Sequence, residues 1–211
     1  MCYNKVGLLG GFMTRIYMLL GCILLGACSG LPTSGEYLAR GNGYLKDGKK
    51  QAAIDAYNKA VVLNPHNIDV YEARGAAYFF AGQYNLAAQD FERVLQEEPY
   101  RVPVYTAYAS VLAAQGNFQE ALTLLNLAAK LRADHAETYF ARGGVYYMLG
   151  RYDLAVADYT RTYELRPSAD VLNARGAAYL GWGKKERAEQ DFQAAKAANL
   201  PQHINAYAHL Q

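Results

Sequence analysis

Apolar and small residues recur along this chain at helical spacing, and the recurrence is clearest between Tyr71 and Pro99. Tyr71, Gly75 and Tyr78 share one helix face; Gly82 interrupts; Ala87 and Phe91 resume the pattern one helical turn apart; Pro99 closes it. This spacing predicts two antiparallel helices joined by a tight turn, with a small residue on the first making room for a large side chain of its neighbour. The six residues from Ala73 to Tyr78 return unchanged from Ala174 to Tyr179, with near copies at Ala39–Tyr44 and Ala141–Tyr146 and a decayed copy at Ala107–Leu112. Their register marks, Gly41, Gly75, Ala109, Gly143 and Gly176, are 34, 34, 34 and 33 residues apart. A fixed period of that size means stacked units rather than one closed globule.

The marks, in this order, resemble the tetratricopeptide repeat over about Ser34 to Gln202, with units beginning at Ser34, Ile68, Val102, Ala136 and Ala169. The resemblance implies an all-α, right-handed superhelical solenoid of five helix-turn-helix units, at 34–67, 68–101, 102–135, 136–168 and 169–202. Gly48, Gly82, Gly116, Gly150 and Gly183 should end the first helices in a left-handed turn. Pro65, Pro99 and Pro167 should stop the second. Unit three has Ala109 for the small glycine and Ala133 for the proline, so looser pairing or a longer second helix is expected there. Beyond the units, Ile204, Tyr207 and Ala208 make one apolar face and predict a short capping helix over 203–211. So brief a cap leaves an end to which a second copy could pair as a homodimer.

Where the repeat usually has an apolar residue before the small one, four units carry Arg40, Arg74, Arg142 and Arg175, and unit three carries Tyr108. Sixteen residues on stand Ala56, Asp90, Asp158 and Asp191, with Leu124 in unit three. Three of the four arginines thus have an acid at the matching place. Two readings stand: a recurring ion pair, within a unit or across a unit boundary (Arg74 with Asp90, Arg142 with Asp158, Arg175 with Asp191), or solvated side chains.

The N-terminus carries a different signal. Arg15 precedes an apolar run over 16–27, the layout of a secretory signal and short for a bilayer span. Leu25-Gly26-Ala27-Cys28 resembles the lipobox of bacterial lipoproteins. That resemblance implies cleavage of 1–27, diacylglycerol on Cys28, and a tether over 28–33. Several acyl chains hold a protein to a membrane stably where one does not. Ser29, rather than Asp, implies the outer membrane of a diderm host, facing the periplasm. Either Met1 or Met13 serves as the start; an ordinary cleaved signal or an uncleaved anchor is the alternative to lipidation.

Charge narrows the partners. Removing Lys5 and Arg15 from the 21 basic residues leaves 19 against 19 acids. A neutral body without a basic run lacks what displaces counterions from phosphate, so nucleic acid is not an expected partner. Cys2, Cys22 and Cys28 are the three cysteines, so no disulfide can staple the repeats. His66, His135, His203 and His209 lie in or beside inter-unit loops or in the tail, without metal-ligand spacing, and no nucleophile elbow or phosphate loop occurs. No enzyme activity, metal or cofactor is expected.

The tetratricopeptide resemblance implies that the first helices line a concave groove for a partner peptide or helix. The groove positions map to Leu38, Asn42 and Leu45; Glu72, Ala76, Phe79 and Phe80; Thr106, Ser110 and Ala113; Phe140, Gly144, Tyr147 and Met148; and Asn173, Ala177 and Leu180. Aromatic, aliphatic and small residues dominate, and the Lys, Asn and Arg set by which some tetratricopeptide adaptors hold a terminal carboxylate is missing. An apolar strand or amphipathic helix is the better-matched partner. For Phe79, Phe80, Phe140 and Tyr147 the competing role is packing between neighbouring first helices. Trp182 is either an exposed anchor or packed on the adjacent helix. The functional readings are a lipid-tethered envelope adaptor, a pilotin-type assembly factor for a type IV pilus or secretin, or, if the N-terminus is no signal, an intracellular scaffold.

Overall fold

The computed structural model describes residues 31–199; the expected signal peptide, the lipidated Cys28 and the capping helix 203–211 lie outside the described residues. Within them the chain forms ten α-helices and no strand. They are α1 Ser34–Lys46, α2 Lys50–Leu63, α3 Ile68–Phe80, α4 Tyr84–Glu97, α5 Val102–Ala114, α6 Phe118–Leu131, α7 Ala136–Met148, α8 Tyr152–Leu165, α9 Ala169–Gly181 and α10 Lys185–Asn199. Each sequence unit is one hairpin, and each second helix packs on the first helix of the next unit. The first helices α1, α3, α5 and α7 also touch in succession, which puts them on the inner, concave side of the stack.

Local chemistry sets the helix ends. Thr33 starts α1 with a capping box: its hydroxyl accepts from the Glu36 N–H at 3.2 Å, and its own N–H donates to Glu36 Oε2 at 2.8 Å. The five turn glycines all have φ between 70° and 82°, the left-handed region in which a side chain is strained. Asn64 and Arg166, each before a proline, end their helices in extended backbone. In unit three the expected helix extension does not occur: α6 stops at Leu131, and Arg132 has φ −147° and ψ 100° without a following proline. The inter-unit turn is held instead by tyrosine. Tyr139 Oη donates to the Ala133 carbonyl at 3.2 Å, as Tyr71 does to Pro65 at 3.0 Å and Tyr105 to Pro99 at 2.9 Å.

The core of each hairpin is a glycine set against a ring sixteen residues later. A Cβ on Gly41 would lie 2.3 Å from the Tyr57 ring; the corresponding distances are 2.9 Å for Gly75 and Phe91, 2.9 Å for Gly143 and Tyr159, and 2.7 Å for Gly176 and Phe192. Unit three changes both members: Ala109 faces Leu125, and both are wholly buried. The smaller Leu leaves room for the added methyl, and the two residues also floor an apolar opening between α5 and α7.

The second recurring contact is ionic. Arg74 grips Asp90 through Nε–H···Oδ2 at 2.8 Å and Nη2–H···Oδ1 at 2.7 Å, and Arg142 with Asp158 and Arg175 with Asp191 have the same two distances. The aspartates are buried, at 5 %, 6 % and 7 % exposure. Each arginine also reaches back one unit, to Asn58 Oδ1 at 2.8 Å, Asn126 Oδ1 at 2.8 Å and Thr160 Oγ1 at 3.4 Å. One guanidinium thus joins three helices, and its fixed fork sets the register of one hairpin on the next. In unit three Tyr108 takes this place, and its hydroxyl donates to Glu92 of the preceding unit. Arg40, without an acid sixteen residues on, is exposed and lies over the Tyr37 ring at 5.3 Å.

Candidate partner-binding groove

Every fourth and third residue of a first helix points the same way, so the inner faces of α1, α3, α5, α7 and α9 form one strip. Toward the C-terminal ends of these helices the strip is apolar and open. Phe80 and Met148, at the same place in units two and four, are each 55 % exposed. Leu180 and Tyr147, at another shared place, are exposed as well. Phe79 is half-buried, with its ring centroid 5.7 Å from that of Phe80 and 5.9 Å from that of Tyr84. Tyr147 meets Tyr152 edge-on at 5.4 Å.

Unit three breaks the aromatic strip and opens it. Ala113 stands where Phe79 and Tyr147 stand in the flanking units, and Ser110 and Gly144 line the opening with it. A notch of about 300 Å³ between α5 and α7 results, with a floor of Ala109, Leu125 and Val145 and a rim formed by Met148. The added methyl at Ala109 and the lost ring at Leu125 thus shape the groove as well as the core. Ser110 is occupied internally, donating to the Thr106 carbonyl at 3.0 Å, so the notch presents almost no polar group.

The mapped positions separate into three groups. Asn42, Phe80, Phe140, Tyr147, Met148, Asn173 and Leu180 are exposed on the strip. Leu38, Leu45 and Phe79 are half-buried and pack on the first core cluster. Thr106 is not available to a partner: it is 8 % exposed, and its hydroxyl lies 2.9 Å from that of Thr138 on α7, itself 2.7 Å from His135 Nδ1. A polar side chain at that place is buried by the close approach of two first helices that carry small residues. Phe140 meets Tyr159 at 5.5 Å, so it is partly a packing residue, and burial pushes the Tyr159 phenol up to about 12. Asn42 accepts a hydrogen bond from Tyr57 Oη at 2.7 Å.

Glu72, the one charged residue among the mapped positions, is bound by Arg101 at 2.6 Å; burial raises its pKa against the pull of that guanidinium. Arg101 also holds Asp69 at 2.7 Å and Glu98 at 2.9 Å, so this end of the groove is tied into the loop before α5. Trp182 is 43 % exposed and stacks on Tyr179 with the ring planes 4° apart. The spacing in the sequence does not single out Thr138, Asn58 or Asn126; it does predict a small residue making room for a large side chain, and the structure identifies that side chain as the ring sixteen residues on. Among the described residues, no group of three or more His, Cys, Asp and Glu could hold a metal, and no helix is long and apolar enough to cross a membrane.

Models of the tetratricopeptide repeat match residues 41–82, 101–168 and 149–204. No curated protein matches the chain in sequence. Among solved structures, the thermophilic TPR protein TTC0263 of Thermus thermophilus is similar with a TM-score of 0.71 at 20% identity, over 79% of this chain and 92% of that one. A tetratricopeptide repeat protein from Parabacteroides merdae gives 0.70 at 25% identity, over 93% of this chain and 78% of its own. MamA gives 0.64 at 24%, over 79% and 96% respectively. Residues 41–82 and 101–204 match tetratricopeptide repeats, and the described part of them is built as a solenoid of helical hairpins with glycine turns, a fold of the kind that scaffolds protein–protein contacts.

Proposed function

We propose that this protein is a lipid-anchored adaptor of a bacterial cell envelope that holds an apolar peptide or the apolar face of an amphipathic helix in its groove. The observation that carries the reading is the uncharged notch between α5 and α7, with exposed Met148 at its rim, on a strip of first helices that also exposes Phe80 and Tyr147. An apolar pocket of that size with a Met at its rim, on a strip that carries exposed aromatic side chains, has the composition of a helix-in-groove site, where a few anchors supply most of the binding energy. Anchoring rests on the apolar run over 16–27 and on Leu25-Gly26-Ala27-Cys28, and Ser29 favours an outer membrane facing the periplasm.

A photocrosslinking side chain at Tyr147 in intact cells tests the groove. A discrete partner should be captured, and Gly144→Leu, which fills the notch, should abolish the capture. An unchanged pattern in the Gly144→Leu chain overturns the groove reading. Capture of pilus or secretin subunits would select the pilotin-type role within it. Lipidation is tested separately by radiolabelled palmitate, which should enter the wild-type chain and not Cys28→Ser.

A further inference from the structure

The first hairpin has an apolar hollow of its own, away from the groove. Leu31, Pro32 and Tyr37 face the end of α2 across a cavity of about 370 Å³, and Val62 and Leu63 form its outer lip. Leu31 is 70 % exposed, Val62 81 % and Leu63 53 %. Repeat packing does not require this: the place of Val62 is held by Gln96 in unit two, Lys130 in unit three, Glu164 in unit four and the small Ala197 in unit five. A branched apolar residue therefore stands at this place only in the hairpin next to the N-terminal segment. Lys59 stands beside the hollow, with Nζ 5.6 Å from the centre of the Tyr37 ring. Leu31 lies three residues along the chain from Cys28, a reach of at most roughly 11 Å when extended.

We propose that this surface seats on the lipid bilayer, with Leu31, Val62 and Leu63 entering the interfacial zone and Lys59 among anionic headgroups; the proposal rests on lipidation of Cys28. An acyl anchor alone leaves a body free to swivel about its tether. An apolar contact within one short reach of the anchor removes that freedom, since the anchor already holds the patch at high effective concentration near the surface. A lysine beside apolar surface, whose ammonium can exchange its contact with the Tyr37 ring for a phosphate, suits that boundary. The stack of hairpins then leaves the membrane by its first unit and carries the groove between units two and five into the aqueous space.

The test uses the full, processed chain purified from the membrane. Cleavage removes Cys2 and Cys22 and lipid blocks Cys28, so Val62→Cys supplies the sole free thiol for an environment-sensitive fluorophore. Gln96→Cys, the matching place in unit two, is the control. In vesicles of phosphatidylethanolamine and phosphatidylglycerol the probe at 62 should emit to the blue and be quenched several-fold more strongly by spin-labelled lipid than the probe at 96. Equal quenching at the two places, with palmitate still entering Cys28, overturns the seating and leaves lipidation intact. Blue emission without lipid quenching means that protein covers the hollow, either the N-terminal segment folded back or a second copy, and also overturns it. No palmitate on the wild-type chain removes the anchor and the seating together.

Discussion

The coupling between each first-helix glycine and the ring sixteen residues on can be measured at Gly75 and Phe91. A Cβ at Gly75 would meet three Phe91 ring atoms at 2.9, 3.1 and 3.2 Å. Ordinary carbon contacts lie at about 3.5–4.0 Å, so the ring must retreat by roughly 0.6 Å. Phe91 is 1 % exposed and close packed, so it can retreat only by displacing its neighbours. Overpacking of this kind costs about 2 kcal/mol. Ala is the better helix former by about 1 kcal/mol, so Gly75→Ala should destabilise by a net of about 1 kcal/mol. In a Phe91→Leu background, which copies the Ala109–Leu125 arrangement of unit three, the clash is gone and the same change should stabilise by about 1 kcal/mol. The sign reverses, and the cycle yields a coupling of about 2 kcal/mol, roughly 30-fold in the unfolding constant. Urea unfolding followed by far-ultraviolet dichroism reads all four chains, with an unchanged slope required so that partial unfolding of the array is not mistaken for stability. Effects that add to within about 0.5 kcal/mol, or a Gly75→Ala that still destabilises beside Leu at 91, would refute the reasoning.

Asp158→Ala leaves the Arg142 guanidinium mostly buried without a counter-charge, with Asn126 as its hydrogen-bond acceptor and the Tyr139 ring beneath it, and should cost about 3 kcal/mol in urea unfolding. Arg142→Tyr combined with Asp158→Leu, the pair that unit three already carries as Tyr108 and Leu124, should recover most of that loss; a double variant no better than the single one would contradict the account. His135 has its pKa lowered from the ordinary 6.5, first by burial and then by Arg132, with Arg166 adding to this and Glu137 and Asp134 opposing. The unfolded chain therefore binds the proton more readily, so its contribution is complete above about pH 6.5 and is lost as pH falls through that value toward the lower folded one. The melting temperature should drop across this window, and His135→Gln should flatten the drop; Glu137, whose pKa is lowered from 4.5, acts only at more acid pH. A Cβ at Gly144 meets only the Tyr159 hydroxyl, at 3.8 Å, so Gly144→Leu should raise helix stability by up to about 1 kcal/mol while blocking the notch, a separation of folding from binding that thermal melts and crosslinking yields together reveal.

The arginine–aspartate register shows how far residue spacing can be carried. The matching acid at three of four units suggested a pair, and the unit without arginine lacked the acid as well. That each guanidinium would also reach an Asn or Thr of the preceding hairpin depends on how two rods lie against each other. Groove positions behaved the same way: a repeat assigns them by number, but Thr106 is buried because α5 and α7 approach closely enough to join its hydroxyl to Thr138.

By itself the amino-acid sequence determined the helices, their turns, the period of the stack and the inward-facing positions, because these depend on contacts within one hairpin or on backbone preferences of glycine and proline. Tertiary structure alone decided which inward residues stay open, where the notch lies, and that α6 stops without a proline. Those features arise from distances between helices of different units, and such a distance is the sum of many side-chain volumes that no single spacing in the chain records.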